Sequence, residues 1–440
     1  ADCGADAAGP SVVLIADDLT GAADSGVTFA EHGAKVMVVW DAGHRPAADV
    51  VVISTESRHS AADEAAQRVT EVMAALAEGF RSVRPPWIYK KIDSTLRGHP
   101  GVELATVLRC LRAASSATGT GSGEGLPRAL VAPAFPAQGR VTRGGIHTVH
   151  GIPLAETVFG QTMTTSRVYD FFAGAFDPGV VAEIPLASET AAEARVFAAD
   201  AATDEDLTRL VNAALENGTR VFCGSAGLAG ALAARLAAMH GWTARSEPAI
   251  QPCPVCSAVL LVIASRNPQT RRQLQALAAM GIPSITPPVR WFLDEAFEAG
   301  VPAVLGDAVA TGAAALTTSG LPELSVEGAT LAARLGSAVA ALLTARRAAW
   351  EPLPPAPGSS GGDPEPMGLV MTGGDAAIAV SSALGAQALH LCGEVAAGMP
   401  WGRLVGGAGD GVPVVTKAGG FGQEDALLKA VSFLRGGCCD

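Results

Sequence analysis

Short, almost uninterrupted apolar runs alternate along this chain with longer stretches whose apolar positions recur every three or four residues. The runs at 11–16, 35–40, 50–54, 86–92, 129–132 and 220–223 have the length and character of strands buried on both faces. Between them, Thr20 is placed to cap a helix reaching about His32, with Gly33 just past its end. Residues 61–78 are amphipathic, and Pro100 suits the first position of a helix reaching about Ala113. Further helices are expected near 190–217 and 226–240, and the Ser/Gly-rich stretch 115–125 reads as a surface loop.

Pro248, Pro252 and Pro254 interrupt the pattern, and it restarts with the apolar run 258–264. Asn267 then caps a helix with Pro268 at its first position and Gly281 after its end. Strands are expected near 313–318, 367–372, 388–391 and 412–417, helices near 328–349, 374–384 and 423–435, and a Pro/Gly/Ser loop at 352–366. Strand–helix alternation in both halves predicts an α/β protein of two doubly wound domains, residues 1–245 and 256–440. Ligands in such domains sit beyond the carboxyl ends of strands.

Composition narrows the picture. A length of 440 residues suits two domains, and 49% hydrophobic with 17% charged residues describes a packed globular protein. Aromatics are only 5%, so Ala, Val and Leu must fill the core. A net charge of -12 disfavours nucleic-acid and anionic-membrane partners, so an anionic substrate would need a local basic pocket. The first residues are acidic, no long uncharged apolar run occurs, and the cysteines are scattered, so a cytoplasmic location is expected. Cys253 and Cys256 form a lone C-x-x-C among prolines, from which no redox or metal role is expected.

Against that acidic background, residues 89–98 stand out. The segment Tyr-Lys-Lys-Ile-Asp-Ser-Thr-Leu-Arg-Gly holds two of the five lysines in the chain. Lys90, Lys91 and Arg97 can neutralise an anion, Asp93 can accept a proton or hold a hydroxyl, and Ser94 adds a hydroxyl. Asp17 and Asp18 follow the first strand, where paired carboxylates can hold sugar hydroxyls, serve as a base or simply cap a helix. Arg140 and Arg143, in a Gly/Pro-bounded stretch after the strand at 129–132, can clamp a carboxylate.

In the second half three strand-to-helix junctions carry small residues: Ser265 with Asn267; Gly373-Gly374-Asp375; and Lys417-Ala418-Gly419-Gly420. Glycines there let backbone N–H groups converge on phosphate. Each Gly-Gly pair alone is more often a tight turn, but three in one domain, one beside a lysine, point to a phosphate site. No Gly-Lys pair exists, so there is no Walker-type loop, and no zinc-protease or protein-kinase motif is present. Gly358-Ser359-Ser360-Gly361-Gly362 matches a nucleophile elbow only by letter, and His147 and His150 read as structural or surface residues.

Taken together these segments resemble the four-carbon acid sugar kinase family. The resemblance runs in order through ADDLTGAAD (16–24), KKIDSTLRG (90–98), APAFPAQGR (132–140), GIPLAET (151–157), SRNPQT (265–270), GGD (373–375) and TKAGGFG (416–422). It implies a substrate-binding first domain, a nucleotide-binding second domain and an active site in the cleft between them. It implies an ATP- and Mg2+-dependent kinase acting on a hydroxyl, expected to be terminal O4, of threonate, erythronate or 3-oxo-tetronate. By motif, Asp17, Lys91, Asp93 and Arg97 would line the acid pocket, and Ser265, Gly373, Gly374, Asp375 and Gly419 would contact ATP. Asp17, Asp93 and Arg97 are the catalytic candidates, with Asp18, Lys90, Ser94 and Arg140 beside the substrate and Lys417 and Gly420 beside the nucleotide. The family's usual Gly-Gly-Glu-Thr is Gly373-Gly374-Asp375-Ala376 here, the Gly-Ser it often has is Ala264-Ser265 here, and 115–125 looks inserted.

Two other readings share the fold class. A dinucleotide-dependent oxidoreductase needs a G-x-G-x-x-G turn after a strand, which Gly407-x-Gly409-x-Gly411 does not supply. A non-catalytic sugar-acid sensor would keep the first-domain cluster without needing three phosphate-type turns. The oligomeric state is left open, with a homodimer as the arrangement to test.

Overall fold

The computed structural model describes residues 9–44, 46–77, 85–118, 126–183, 194–242, 255–265, 267–293, 301–319, 321, 328–349 and 367–437. Its backbone falls into two units, Ala1–Glu247 and Pro248–Asp440.

In the first unit the strands are β1 (Val12–Ala16), β2 (Val36–Val39), β3 (Val50–Ser54), β4 (Trp87–Lys91), β5 (Ala129–Ala132), β6 (Arg140–Arg143), β7 (Ile146–Val149), β8 (Ile152–Pro153), β9 (Val181–Ala182), β10 (Val196–Ala198) and β11 (Val221–Gly224). The helices are α1 (Leu19–Glu31), α2 (Ala62–Ala77), α3 (Pro100–Thr118), α4 (Val168–Ala173), α5 (Asp204–Glu216) and α6 (Ala226–His240). The main strands lie in the order β2-β3-β1-β4-β11-β5-β10-β9, parallel throughout. The apolar runs explain this: every residue of β1 is shielded, as parallel strands covered on both faces require. Burial at this level contributes roughly 1.5–3 kcal/mol per large aliphatic side chain, as an upper bound. The chain leaves β1 toward β2 and β3 and returns to β4 on the other side. The crevice at that reversal opens beyond Ala16 and Lys91, which are register partners.

In the second unit the strands are β12 (Ala258–Ile263), β13 (Ser284–Ile285), β14 (Ala313–Thr317), β15 (Met367–Thr372), β16 (Ala388–Ala396), β17 (Met399–Val405) and β18 (Pro413–Lys417). Its helices are α7 (Pro268–Ala279), α8 (Val289–Leu293), α9 (Val301–Val309), α10 (Gly328–Ala349), α11 (Gly374–Ala383) and α12 (Ala426–Leu434). The order β13-β14-β12-β15-β18 is parallel, and β17 and β16 continue it antiparallel. Here the chain reverses between β12 and β15. Ile263, Thr372 and Lys417 end three adjacent strands in register.

Several expected elements differ. The N-cap of α1 is Asp18, whose carboxylate accepts the Gly21 N–H at 2.8 Å, rather than Thr20. Helix α3 runs through 115–118, where the Ser116 hydroxyl is satisfied by the Arg112 carbonyl one turn back. The rest of the Ser/Gly stretch and the loop at 352–366 lie outside the described residues. Within the segment expected as one helix near 190–217, Val196–Ala198 is a strand, too short to show a period of its own. Arg140 and Arg143 lie on β6, part of a three-stranded antiparallel sheet with β7 and β8, not on a loop. The hairpin partner β17 was also not expected. Among the described residues no helix is long and apolar enough to cross a membrane.

Candidate functional site

The carboxyl ends of β1, β3 and β4 bring four conspicuous charges together with one the sequence did not single out. Arg58, four residues past β3, donates Nε and Nη2 to the two carboxylate oxygens of Asp17, each at 2.8 Å. Its Nη1 and Nη2 also reach Asp18, at 2.6 and 2.7 Å. One planar guanidinium thus bridges both aspartates and offsets one of their two charges, which a lysine could not do in this geometry. Burial pushes the Asp17 carboxyl up, but the Arg58 charge and hydrogen bond outweigh it, and Asp17 lies below its ordinary value. Asp18 stays above its ordinary value because burial, reinforced by Asp17, outweighs Arg58. Position 58 carried a usable signal, an arginine beyond the carboxyl end of an expected strand.

The two lysines behave differently. Lys90 is fully buried, with its ammonium 2.6 Å from Glu103 of α3, and Ser57 donates to the other oxygen of that glutamate at 2.8 Å. It is a buried ion pair tying β4 to α3, with no exposed surface. Lys91 donates to the Ile92 carbonyl at 2.9 Å and has no ion-pair partner among the described residues. Its Nζ would lie 3.0 Å from a Cβ at Gly21, and the Asp18 carboxylate would lie 2.5 Å from that atom. Glycine is therefore required there for the ammonium and the cap to coexist.

Asp93 accepts from Thr95 Oγ1 at 2.6 Å and from Arg97 Nε. Burial opposes its ionisation, yet the Arg58 charge and the Arg97 bond hold it well below the carboxylate range. The turn that follows takes Leu96 to φ 57° and Gly98 to φ 83°. It leaves Arg97 partly exposed and stacked 5.6 Å over the Phe159 ring. His147 of β7 is buried, with Nε2 2.8 Å from the Ser94 carbonyl and Nδ1 2.9 Å from Thr142 Oγ1. The small antiparallel sheet therefore fixes the backbone of this turn, and burial keeps the imidazole below its ordinary pKa. Arg140 holds Gln138 through Nη1, while its buried Nε has no partner among the described residues. Burial lowers its pKa, opposed by Asp93 and Asp24, so these groups share one electrostatic neighbourhood.

The second unit presents backbone instead. Gly373, at φ 99°, is the N-cap of α11 and makes no side-chain cap bond. A Cβ there would meet nothing within 4 Å, and among the described residues the N–H groups of Gly374, Asp375 and Ala376 have no acceptor. Asp375 is exposed in that turn. Gly419 lies against Ser265, whose Oγ would stand 2.2 Å from a Cβ at that position, and Gly420 lies against Asn267. Five carbonyls of this loop, those of Ala418, Gly419, Phe421, Gly422 and Gln423, are taken by side chains. Lys417 Nζ takes those of Ala418, Phe421 and Gly419 at 2.7, 3.0 and 3.5 Å. Buried Gln273 takes those of Phe421, Gly422 and Gln423, and Thr270 takes that of Gly419. Among the described residues the N–H groups of Gly419 and Gly420 have no acceptor. A loop with most of its carbonyls taken and the Gly419 and Gly420 amides unclaimed is chemically suited to an anion. Lys417 shapes that loop from beneath, and burial lowers its pKa to about 8. Neither Gln273 nor Thr270 was anticipated, since an uncharged residue on a helix carries no signal of its own. Among the described residues no group of three His, Cys, Asp or Glu is placed to hold a metal ion.

Two family models match the chain. A family model described as a sugar-binding N-terminal domain matches residues 12–232, and one described as a nucleotide-binding C-terminal domain matches 260–427. The chain belongs to the four-carbon acid sugar kinase family and is a phosphotransferase with an alcohol group as acceptor. It is 34% identical to a D-threonate kinase of Bordetella bronchiseptica, over 97% of this chain and 98% of that one. It is 31% identical to a D-erythronate kinase of Heliobacterium modesticaldum (96% and 97%) and 29% identical to a 3-oxo-tetronate kinase of Methylobacterium radiotolerans (96% and 98%). A solved protein of Salmonella typhimurium shares the fold at a TM-score of 0.72 and 20% identity, covering 96% of this chain and 98% of that one.

Proposed function

We propose that this protein transfers the terminal phosphate of ATP to a hydroxyl, O4, of a four-carbon sugar acid such as threonate, erythronate or 3-oxo-tetronate. The observation that carries the reading is the set of cationic donors left uncommitted at the strand ends of the first unit. Lys91 has no ion-pair partner among the described residues, Arg97 is partly exposed and binds Asp93 through Nε alone, and Arg140 keeps an unpartnered Nε, while Arg58 is committed to Asp17 and Asp18. A small carboxylate is the ligand such a surface selects. With that end anchored by Arg97 and Lys91, the far end of a four-carbon chain presents its terminal hydroxyl. The glycine junctions at 373–374 and 419–420, with Ser265, hold the triphosphate. Mg2+, when bound to the phosphates, neutralises charge, and exposed Asp375 is the side chain available to it, directly or through water. Transfer requires the bound acid and the terminal phosphate to meet.

The test is ADP release against a panel of D-threonate, D-erythronate and 3-oxo-tetronate, followed by location of the phosphate in the product. ADP release that none of these acids stimulates removes the reading. Within it, Arg97→Ala removes a charge-assisted bond and lowers kcat/KM for the acid by about one to two orders of magnitude. Unchanged kinetics in a folded Arg97→Ala protein would take that arginine out of the site.

A further inference from the structure

The acceptor hydroxyl must lose a proton, and three of the carboxylates near it are already engaged. Both oxygens of Asp17 receive Arg58. Both oxygens of Asp18 receive Arg58, and one also caps α1 through Gly21. Asp93 receives Arg97 and Thr95. Asp24 differs. It lies on α1 one turn beyond Gly21, half-buried, and among the described residues no hydrogen bond or ion pair reaches its carboxylate. The charged and titratable groups near enough to act on it electrostatically are Lys91 and Tyr89 of β4, Asp18 at the start of α1 and Arg140 of β6, and Lys91 Nζ lies against Gly21 one turn back on the same helix. Lys91 and Arg140 both have spare donors: Lys91 has one carbonyl bond, and Arg140 Nε is unpartnered.

We infer that Asp24 is the catalytic base for the acceptor hydroxyl, and that Asp17, Asp18 and Asp93 position the cations around it. The inference rests on the kinase reading above. In the step, the hydroxyl proton passes to an Asp24 oxygen and the alcohol oxygen forms its bond to the transferred phosphorus. The bond from that phosphorus to the bridging oxygen of the nucleoside triphosphate breaks, and a nucleoside diphosphate leaves. Nothing is oxidised or reduced. Basicity agrees with the assignment. Burial, aided by Asp18 and opposed by Lys91 and Arg140, holds Asp24 above its ordinary pKa, whereas Asp17 and Asp93 are pulled below theirs and are weaker bases.

Asp24→Asn tests this by three readouts. The expected result is a kcat lowered about 100-fold or more, with the dissociation constant for D-threonate by calorimetry changed less than about threefold. The acid limb of the kcat profile, present in the wild type, is lost in the variant. Asp24→Glu recovers part of kcat and restores the limb. Should the asparagine protein not fold, Asp24→Ser carries the same readouts. A folded variant with kcat within about fivefold of wild type, or with its acid limb intact, overturns the assignment. Wild-type turnover beside an active Asp24→Asn removes this inference alone; a wild type that four-carbon acids do not stimulate removes the kinase reading and this inference with it.

Discussion

At the ends of β1, β3 and β4, charge is carried by side chains, several of which, Arg58 with Asp17 and Asp18 and Arg97 with Asp93, are paired before any ligand arrives. At the ends of β12, β15 and β18 it is carried by peptide N–H groups, and the one cationic side chain there among the described residues, Lys417, faces inward to three carbonyls. Both solutions sit at a chain reversal in a parallel sheet, so the scaffold is the same and the recognition chemistry is not. The difference follows from the ligands proposed for them. A sugar acid has one charge and several hydroxyls, which need groups differing in sign and reach. A triphosphate has many equivalent oxygens, which a row of amides fits without discriminating among them.

The comparison breaks most readily at Arg58. Its removal leaves buried Asp17 and partly buried Asp18 adjacent and without their guanidinium. Arg58→Met keeps the aliphatic stem and should lower unfolding stability in urea by about 3 kcal/mol or more, as expected when one partner of a buried ion pair is deleted. A loss below about 1 kcal/mol would mean that water already solvates those carboxylates, and the prepaired description of the first unit would fall. In the second unit the corresponding lesion is steric. A Cβ at Gly419 would stand 2.2 Å from Ser265 Oγ and 2.9 Å from its Cβ. Gly419→Ala should therefore raise the nucleotide KM about 10- to 100-fold, or about 1.4–2.7 kcal/mol, and leave the acid KM alone. Both clashing atoms belong to Ser265, so adding Ser265→Gly should make the two changes non-additive. A Gly419→Ala protein that binds acid poorly and nucleotide normally would reverse the assignment of the two units.

The same contrast explains what could be read from the sequence. Strands such as β1 and β12 were legible because residues buried on both faces leave an uninterrupted apolar run. The cluster at 90–97 was legible because charge is rare in such surroundings. What escaped was anything defined by a partner. Lys90 and Lys91 are neighbours in sequence, but alternation along β4 sends one to Glu103 and the other to the crevice beside Gly21. Arg58 lies 41 residues from Asp17, and the pairing exists only because β1 and β3 are adjacent. Gln273 holds carbonyls 148 to 150 residues away. Asp24 lay inside a quoted motif and was passed over, since being uncommitted is a property of the folded neighbourhood.

The smallest effect concerns Lys417 and has a definite sign. Burial lowers its pKa from 10.5 to about 8. Between those values the unfolded chain holds a proton there that the folded chain has released, so this group makes stability rise with pH across that window. Below it the folded protein bears the cost of a buried ammonium, offset by its three carbonyl bonds. Cys223 and Tyr89 act oppositely: burial pushes the Cys223 thiol up to about 12 and Tyr89 well above its ordinary value, so both lose stability as the unfolded chain ionises. The slope of the wild type alone is therefore uninformative, and the difference between wild type and Lys417→Met is what matters. Between pH 8 and 9.5 the wild type should gain roughly 1 kcal/mol relative to the variant, measured by urea unfolding at matched ionic strength. Parallel curves would mean that the ammonium reaches solvent, and the inward lysine, on which the contrast between side-chain and backbone recognition depends, would become an ordinary phosphate-facing cation.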